Sequence, residues 1–227
     1  MSERRLLLVG RGRMGRLVES LAAEYGFDVV GHVDRESSSW PDRWPAADVA
    51  IDFSTADAVP ANLPRLVDRG ISIVLGTTGW QAHEPQLRKV AATYNVGIVA
   101  APNFALGVNI FLALAERAAV LMSHRGSFGP WIHELHHAGK RDAPSGTALA
   151  LEWALHAGGI TAAMPIASTR AGSIPGTHTV GFDSPSETIT LTHEARDRSA
   201  FACGALEAAR WVIGRRGWFS MTDVLGL

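Results

Sequence analysis

Up to about residue 100, short apolar runs rich in β-branched residues alternate with longer segments whose apolar positions recur at helical spacing. The runs "RLLLV", "FDVVGHV", "DVAIDF", "ISIVLG" and "VGIVAAP" read as strands, and "MGRLVESLAAEYG", "ADAVPANLPRLVDRG" and "QLRKVAATYN" as the helices between them. That rhythm predicts βαβ units with a parallel sheet. Strands this uniformly apolar are expected where helices cover both faces, so the fold class is a doubly wound α/β sheet. Pro60 and Pro64 interrupt the second helical pattern, and "RESSSWPDRWPAA" reads as a loop.

Past residue 105 the rhythm changes. A long helix, "GVNIFLALAERAAVLMSH", precedes a strand "WIHELHH", a loop, a helix "TALALEWALHAGG" and strands near "THTVGF" and "ETITLTHEA". Helices mixed with strands expected to be antiparallel predict a smaller α+β lobe. A last helix, from Ser199 to about Gly214, is assigned back to the first lobe, dividing the chain into 1–106 with 199–227 and 107–198.

Composition narrows the function classes. With 47% hydrophobic and 19% charged residues in 227, the chain can bury a core. A formal net charge of -1 gives no global field for nucleic acid or an anionic membrane. No stretch approaches the roughly 18 apolar residues that span a bilayer. The opening "MSERRLLLVG" runs into a glycine turn instead of a cleavage site and reads as the first strand. The single cysteine, Cys203, precludes an internal disulfide and fits a reducing, cytoplasmic setting; its apolar helical context makes it a packing residue.

Gly10, Gly12 and Gly15 follow the first strand and open the first helix. Gly10 permits the tight turn, Gly12 lets backbone approach a pyrophosphate, and Gly15 allows close helix packing, while the helix N-terminus receives negative charge. Asp34 ends the next strand near the expected distance for an acid on the adenosine ribose, which favours NAD; Arg35 beside it would suit a 2′-phosphate, so NADH and NADPH both stay open. The loops "GTTGW" and "APNFALGVN" follow the fourth and fifth strands, on the edge where open parallel sheets bind ligands.

The stretch "ELHHAGKRDAPSGTALA" combines two histidines, a lysine and Ser-Gly-Thr. Strand alternation places Ile132, Glu134 and His136 on one face and Trp131, His133, Leu135 and His137 on the other. Ser145, Gly146 and Thr147 open a helix whose free N–H groups suit a carboxylate, and Lys140 adds positive charge. A metal site is the rival reading, with only Glu134 and Asp142 near the histidines; helix capping by Ser145 with solvated histidines is the bland one.

With "GRMG", "IDFS", "GTTG", "APNFALGVN", "PGTHTVGF", "ETITLTHEARDRSAFACGAL" and "MTDVLGL", this stretch closely resembles the 4-hydroxy-tetrahydrodipicolinate reductase (dihydrodipicolinate reductase) family of lysine and diaminopimelate synthesis, over most of the chain. The resemblance implies a Rossmann-like dinucleotide-binding domain in 1–106 and 199–227, and a smaller α+β substrate-binding and tetramerisation domain in 107–198. It implies a homotetramer that reduces a cyclic dicarboxylate with NADH or NADPH, without a metal. His136 would be proton donor and acceptor, and Lys140 a proton donor that engages a substrate carboxylate; His137, Gly146 and Thr147 would bind substrate. Gly10, Gly12, Arg13, Met14 and Gly15 would hold the pyrophosphate, and Asp34 and Arg35 the ribose. Gly76, Thr77, Thr78, Ala101, Pro102, Asn103 and Phe104 would complete the nicotinamide side. The chain departs from the family at Val9, where a further glycine is frequent, at Ala56, where proline is, and at Gly139, where some members have another histidine.

Two other readings compete: a reductase of a different cyclic imine or oxo acid, and a nucleotide-sensing module without turnover. His136 and Lys140 speak against the second. Trp40, Trp44 and Trp80 are assigned to loop or core packing, and Arg170, Arg196 and Arg198 to a solvated face.

Overall fold

The structure, a computed structural model, describes residues 4–227. Two compact units divide it: one contains the chain up to Leu106 together with Ser199–Leu227, the other Gly107–Arg198.

The first unit begins with β1 (Arg4–Val9), α1 (Arg13–Leu21), β2 (Phe27–Val33), β3 (Val49–Asp52), α2 (Val59–Asp68), β4 (Ser72–Leu75), α3 (Glu84–Ala91) and β5 (Gly97–Ala100). The alternation of β1 decides the layering. Leu6 and Leu8 enter a cluster with Val18 of α1, whereas Leu7 and Val9 enter another with Leu63 and Leu66 of α2 and Leu87 of α3. Both faces of the sheet are therefore buried, as the apolar strands require. Pro60 lies in the first turn of α2, where its missing N–H is harmless, and Pro64 is accommodated inside the helix.

The second unit holds α4 (Leu106–Met122, after its first residue), β6 (Gly129–His136), α5 (Gly146–Ala157), β7 (Ile166–Arg170), β8 (Thr177–Asp183) and β9 (Thr188–Glu194). Its sheet runs β7-β6-β8-β9. Phe111, Ala115 and Ala119 of α4 and Leu151 and Leu155 of α5 pack on Ile132, Val180 and Phe182 from one face. The expectation of antiparallel strands holds for β6, β8 and β9 but not for β7, which pairs parallel with β6. The β6–α5–β7 segment is a crossover unit, and a crossover returns the chain in the same direction. The sequence pattern missed β7, "IASTR", because an edge strand with three exposed residues carries no apolar signal.

The chain then re-enters the first unit through α6 (Ser199–Val212), β10 (Gly217–Phe219) and α7 (Met221–Leu225). The three-residue β10 pairs with β5 and completes a parallel sheet ordered β10-β5-β4-β3-β1-β2. Strand order reverses between β1 and β3, so a crevice opens at their carboxyl ends. Cys203 is half-buried on α6. Trp44 and Trp80 are core residues, while Trp40 is 57% exposed beneath the Arg43 guanidinium. Among the described residues no helix is long and apolar enough to cross a membrane.

Helix α6 lies close to the core because its inner face is small: Ala202, Gly204, Ala205, Ala208 and Ala209 are buried. A Cβ at Gly204 would lie 1.7 Å from the Phe104 carbonyl oxygen. Gly204→Ala is expected to destabilise the protein by on the order of 3 kcal/mol in chemical denaturation, because the backbone clash outweighs alanine's helix preference of about 1 kcal/mol. A raised denaturation midpoint would show that α6 is not held this close.

Candidate active site

Strand β6 ends in the second unit at a loop, residues 137–145, followed by α5. Pro130, Ile132, Glu134 and His136 are buried and the intervening residues half-exposed, so the alternation read from the sequence is the one observed. Ser145 caps α5: its Oγ accepts the Ala148 N–H at 3.2 Å. The first N–H groups of a helix have no partner within it, and Gly146 and Thr147 are the first two residues of α5. Lys140 Nζ donates to both carboxylate oxygens of Asp142, at 2.7 and 2.8 Å, and this holds Asp142 below its ordinary carboxylate range.

Glu134 is the hub beneath this loop. Its side chain has no exposed surface, and its Oε1 accepts three hydrogen bonds: from Ser145 N at 3.0 Å, Ser168 Oγ at 2.6 Å and Arg170 Nη2 at 2.7 Å. Burial alone would raise its pKa, but these donors outweigh burial and bring it down to about 2. Its Oε2 faces His136 Nδ1 at 3.2 Å and His178 Nε2 at 3.6 Å, without hydrogen-bond alignment to either. The His136 and His178 rings meet edge to face, 5.0 Å apart. Burial lowers the pKa of both, that of His178 to about 4, with the positive charge of its neighbours adding to the effect. Arg170 also donates to the Asp142 carbonyl, at 2.5 Å, tying β7 to the loop that carries Lys140.

Glu134, His136 and His178 bring ligand atoms within 4.8 Å of one another, a spacing a metal ion would tolerate. The carboxylate charge is already matched by Arg170, so the set reads as an ion-pair network. Assigning Arg170 to a solvated face is thus corrected: only 17% of its side chain is exposed. Arg196 and Arg198 are exposed, as expected. Sequence reasoning also gave no site role to His178, which hydrogen-bonds Ser145 Oγ at 3.1 Å. The alternation of "THTVGF" puts His178 on the same inward face as Val180, and that was the available signal.

In the first unit the predicted loops gather at the carboxyl ends of the strands. Gly10 has φ +89°, and a Cβ there would meet the Phe53 carbonyl oxygen at 2.5 Å; one on Gly15 would lie 2.1 Å from the Gly10 carbonyl oxygen. Gly12, at the N-cap of α1, has nothing within 4 Å of the same position. These are the turn, packing and open-approach roles expected of the three glycines, and they fit a dinucleotide pyrophosphate. Arg13 is exposed and Met14 half-buried at the start of α1. Asp34 is exposed after β2, held below its usual range by N–H and hydroxyl donation from Ser37 to Oδ1; Arg35 beside it is exposed too. The Gly76 N–H donates to the Asp52 carbonyl and that of Ala101 to Leu75, fixing the next two loops along the same edge.

Not all the predicted side chains are free. Thr77 Oγ1 is committed to Asp52 Oδ1 at 2.8 Å and to the Ser54 N–H at 2.8 Å. Phe104 is a core residue, edge-on to Phe53. Asn103 Oδ1 accepts the Ala105 N–H. Thr78 and Pro102 are exposed. A cavity of about 340 Å³ borders this edge, lined in part by Thr77, Trp80, Ala101, Pro102 and Trp218.

The family described as "Dihydrodipicolinate reductase, N-terminus" matches residues 4–104, and its C-terminal counterpart matches residues 107–225. The chain is 40% identical to the 4-hydroxy-tetrahydrodipicolinate reductase of Granulibacter bethesdensis, over 95% of this chain and 94% of that one. It is 37% identical to that of Rhodopseudomonas palustris strain BisA53, over 100% and 98% of the two chains. The structure of a dipicolinate-bound dihydrodipicolinate reductase from Paenisporosarcina sp. TG-14 superposes with a TM-score of 0.82 at 22% identity, covering 96% of this chain and 97% of that one. Aspartate dehydrogenase from Thermotoga maritima shares the architecture more loosely, with a TM-score of 0.51 at 12% identity, over 91% and 95% of the chains. On these matches, which together span nearly its whole length, the chain belongs to the dihydrodipicolinate reductase family.

Proposed function

We propose that the protein reduces 4-hydroxy-tetrahydrodipicolinate to tetrahydrodipicolinate with NADH or NADPH, in diaminopimelate and lysine synthesis. The observation that carries the reading is the exit of β6, where His136, Lys140 and the open N-terminus of α5 share one loop. A cyclic dicarboxylate needs two anion sites and a proton, and this loop offers both. Gly146 and Thr147, with His137, bind one carboxylate, and Lys140 the other, exchanging Asp142 for substrate.

Loss of the C4 hydroxyl with a C3 proton as water leaves a C3=C4 double bond conjugated with the ring imine, and a bound nicotinamide would supply hydride to C4, leaving an enamine to be protonated at C3. His136 delivers the proton at C3 as a general acid; burial holds its pKa below the ordinary histidine value, so its imidazolium gives up the proton readily. Gly10 to Gly15 receive the pyrophosphate, Asp34 with Arg35 the ribose, and the Gly76–Thr78 and Ala101–Phe104 loops the nicotinamide end. Since Thr77 and Phe104 are internally committed, their contribution is backbone and shape. The subunits form a cytoplasmic homotetramer through the half-exposed sheet face that bears Trp131, His133 and Leu135.

Two outcomes are expected of turnover. With substrate formed in place from pyruvate and aspartate semialdehyde, NADH and NADPH oxidation should require both precursors. His136→Ala and Lys140→Ala should each lower kcat/KM by about 10²–10⁴-fold. Cofactor binding without substrate-dependent oxidation would point to the sensor reading instead.

Gly12→Ala should keep the wild-type melting temperature, since its Cβ meets nothing, yet weaken cofactor binding about tenfold or more by calorimetry. Equal affinity would remove Gly12 from the pyrophosphate site.

Stability should fall in acid in two stages. His178 is neutral in the fold down to about pH 4, while in the unfolded chain it protonates at its ordinary 6.5, so its contribution is whole above 6.5 and lost between 6.5 and 4. Glu134 adds a second loss between its ordinary 4.5 and about 2. A melting temperature that stays flat from pH 7 to pH 4 would contradict a neutral buried His178.

A further inference from the structure

Glu134 is too deeply buried to touch substrate, yet it meets both His136 and Ser145 at the end of the β6 exit loop. Three donors from two segments saturate Oε1: Ser145 at the start of α5, and Ser168 and Arg170 of β7. The carboxylate plane is thereby fixed, and Oε2 is left facing His136 Nδ1 at 3.2 Å, nearer than His178 Nε2 at 3.6 Å. Both of these atoms lack a hydrogen-bond partner among the described residues. A bare Nδ1 lone pair opposite a carboxylate oxygen is repulsive, whereas an Nδ1–H or an imidazolium there is attracted. The ring's exchanging nitrogen is therefore Nε2, and the chain keeps space beside it: a Cβ on Gly176 would lie 3.1 Å from His136 Nε2.

We propose that Glu134 is a positioning residue of this reaction, whose carboxylate supplies the countercharge to the His136 imidazolium and, through Arg170, holds the Lys140 loop in place. The inference rests on the reductase reading given above, in which His136 moves the proton. The charged and titratable groups around His136 are Glu134 on β6, Lys140 and Asp142 in the loop, Arg170 on β7 and His178 on β8, with His193 on β9 next to His178. Burial, Lys140 and Arg170 make His136 harder to protonate; Glu134 and Asp142 oppose them, and Glu134 does so most strongly. A plain structural tie between β6 and β7 has no such consequence for the imidazole.

The test is an NMR titration of the His136 ring in histidine-labelled full-length protein, assigned by the loss of its signal in His136→Gln, alongside the pH profile of kcat. Glu134→Gln removes the countercharge and should move the His136 midpoint down by on the order of one pH unit, whereas Glu134→Asp, which keeps the charge, should restore most of it. Arg170→Gln removes the opposing cation and should move the midpoint up. Opposite shifts support the proposal; an unchanged midpoint, or both variants moving in one direction as a general loosening would give, overturns it. If Glu134→Gln does not fold, the upward shift in Arg170→Gln decides the matter alone. The alkaline limb of kcat should follow the NMR midpoint. If the midpoint moves while that limb stays, the countercharge role of Glu134 stands and the assignment of His136 as the proton donor fails.

Discussion

An ionised carboxylate with no exposed surface survives only where donors replace the water it has lost, and Glu134 obtains three of them from two separate pieces of chain, the cap of α5 and strand β7. Removing one partner from a buried pair of this kind leaves an uncompensated charge and costs about 3–5 kcal/mol. The pair therefore constrains geometry more than it adds net stability. With Ser145, Ser168 and Arg170 all directed at one oxygen, and Arg170 also bonded to the Asp142 carbonyl, the start of α5, the edge strand β7 and the loop from β6 to α5 have fixed places relative to His136. The loop carries Lys140, Arg141 and Asp142, and a single acid beneath it ties it to the neighbouring strand through Arg170.

The cofactor side is organised by an opposite means. Where the second unit concentrates charge, the first removes atoms: Gly10, Gly15 and Gly204 each stand where a Cβ would strike a backbone carbonyl. Close approach then lets neighbouring loops hydrogen-bond across strand ends, as between Asp52, Ser54 and Thr77. Asp52 is buried and its pKa raised by burial, but these three bonds keep the exits of β3 and β4 together without a cation.

How legible all this was in the sequence depends on how local the determinant is. The five N-terminal strands, the crossover helices and the glycine turn are written in periodicity and in residues a few positions apart. The alternation of β6 correctly turned His136 inward with Glu134. What escaped has long-range causes. Arg170 looks like a solvent-facing cation until β7 pairs parallel with β6 and brings it opposite His136 in register. His178 looks like one histidine in a threonine-rich strand until β8 lies antiparallel beside β6, with His178 across from Glu134. Thr77 and Phe104 sit in well-read motifs, but only the packed sheet shows that their side chains point into protein.

The return of α6, β10 and α7 to the first unit also has a consequence for the order of assembly. Residues Gly107–Arg198 have every strand of their sheet once Glu194 has been synthesised, whereas the unit begun earlier still lacks the alanine face of α6 and the edge strand β10. On the ribosome the inserted lobe can therefore close while Leu6, Leu8 and Ile51 still await their cover. The half of the protein that is translated first is the last to be finished, and until then its apolar strands lack part of their cover.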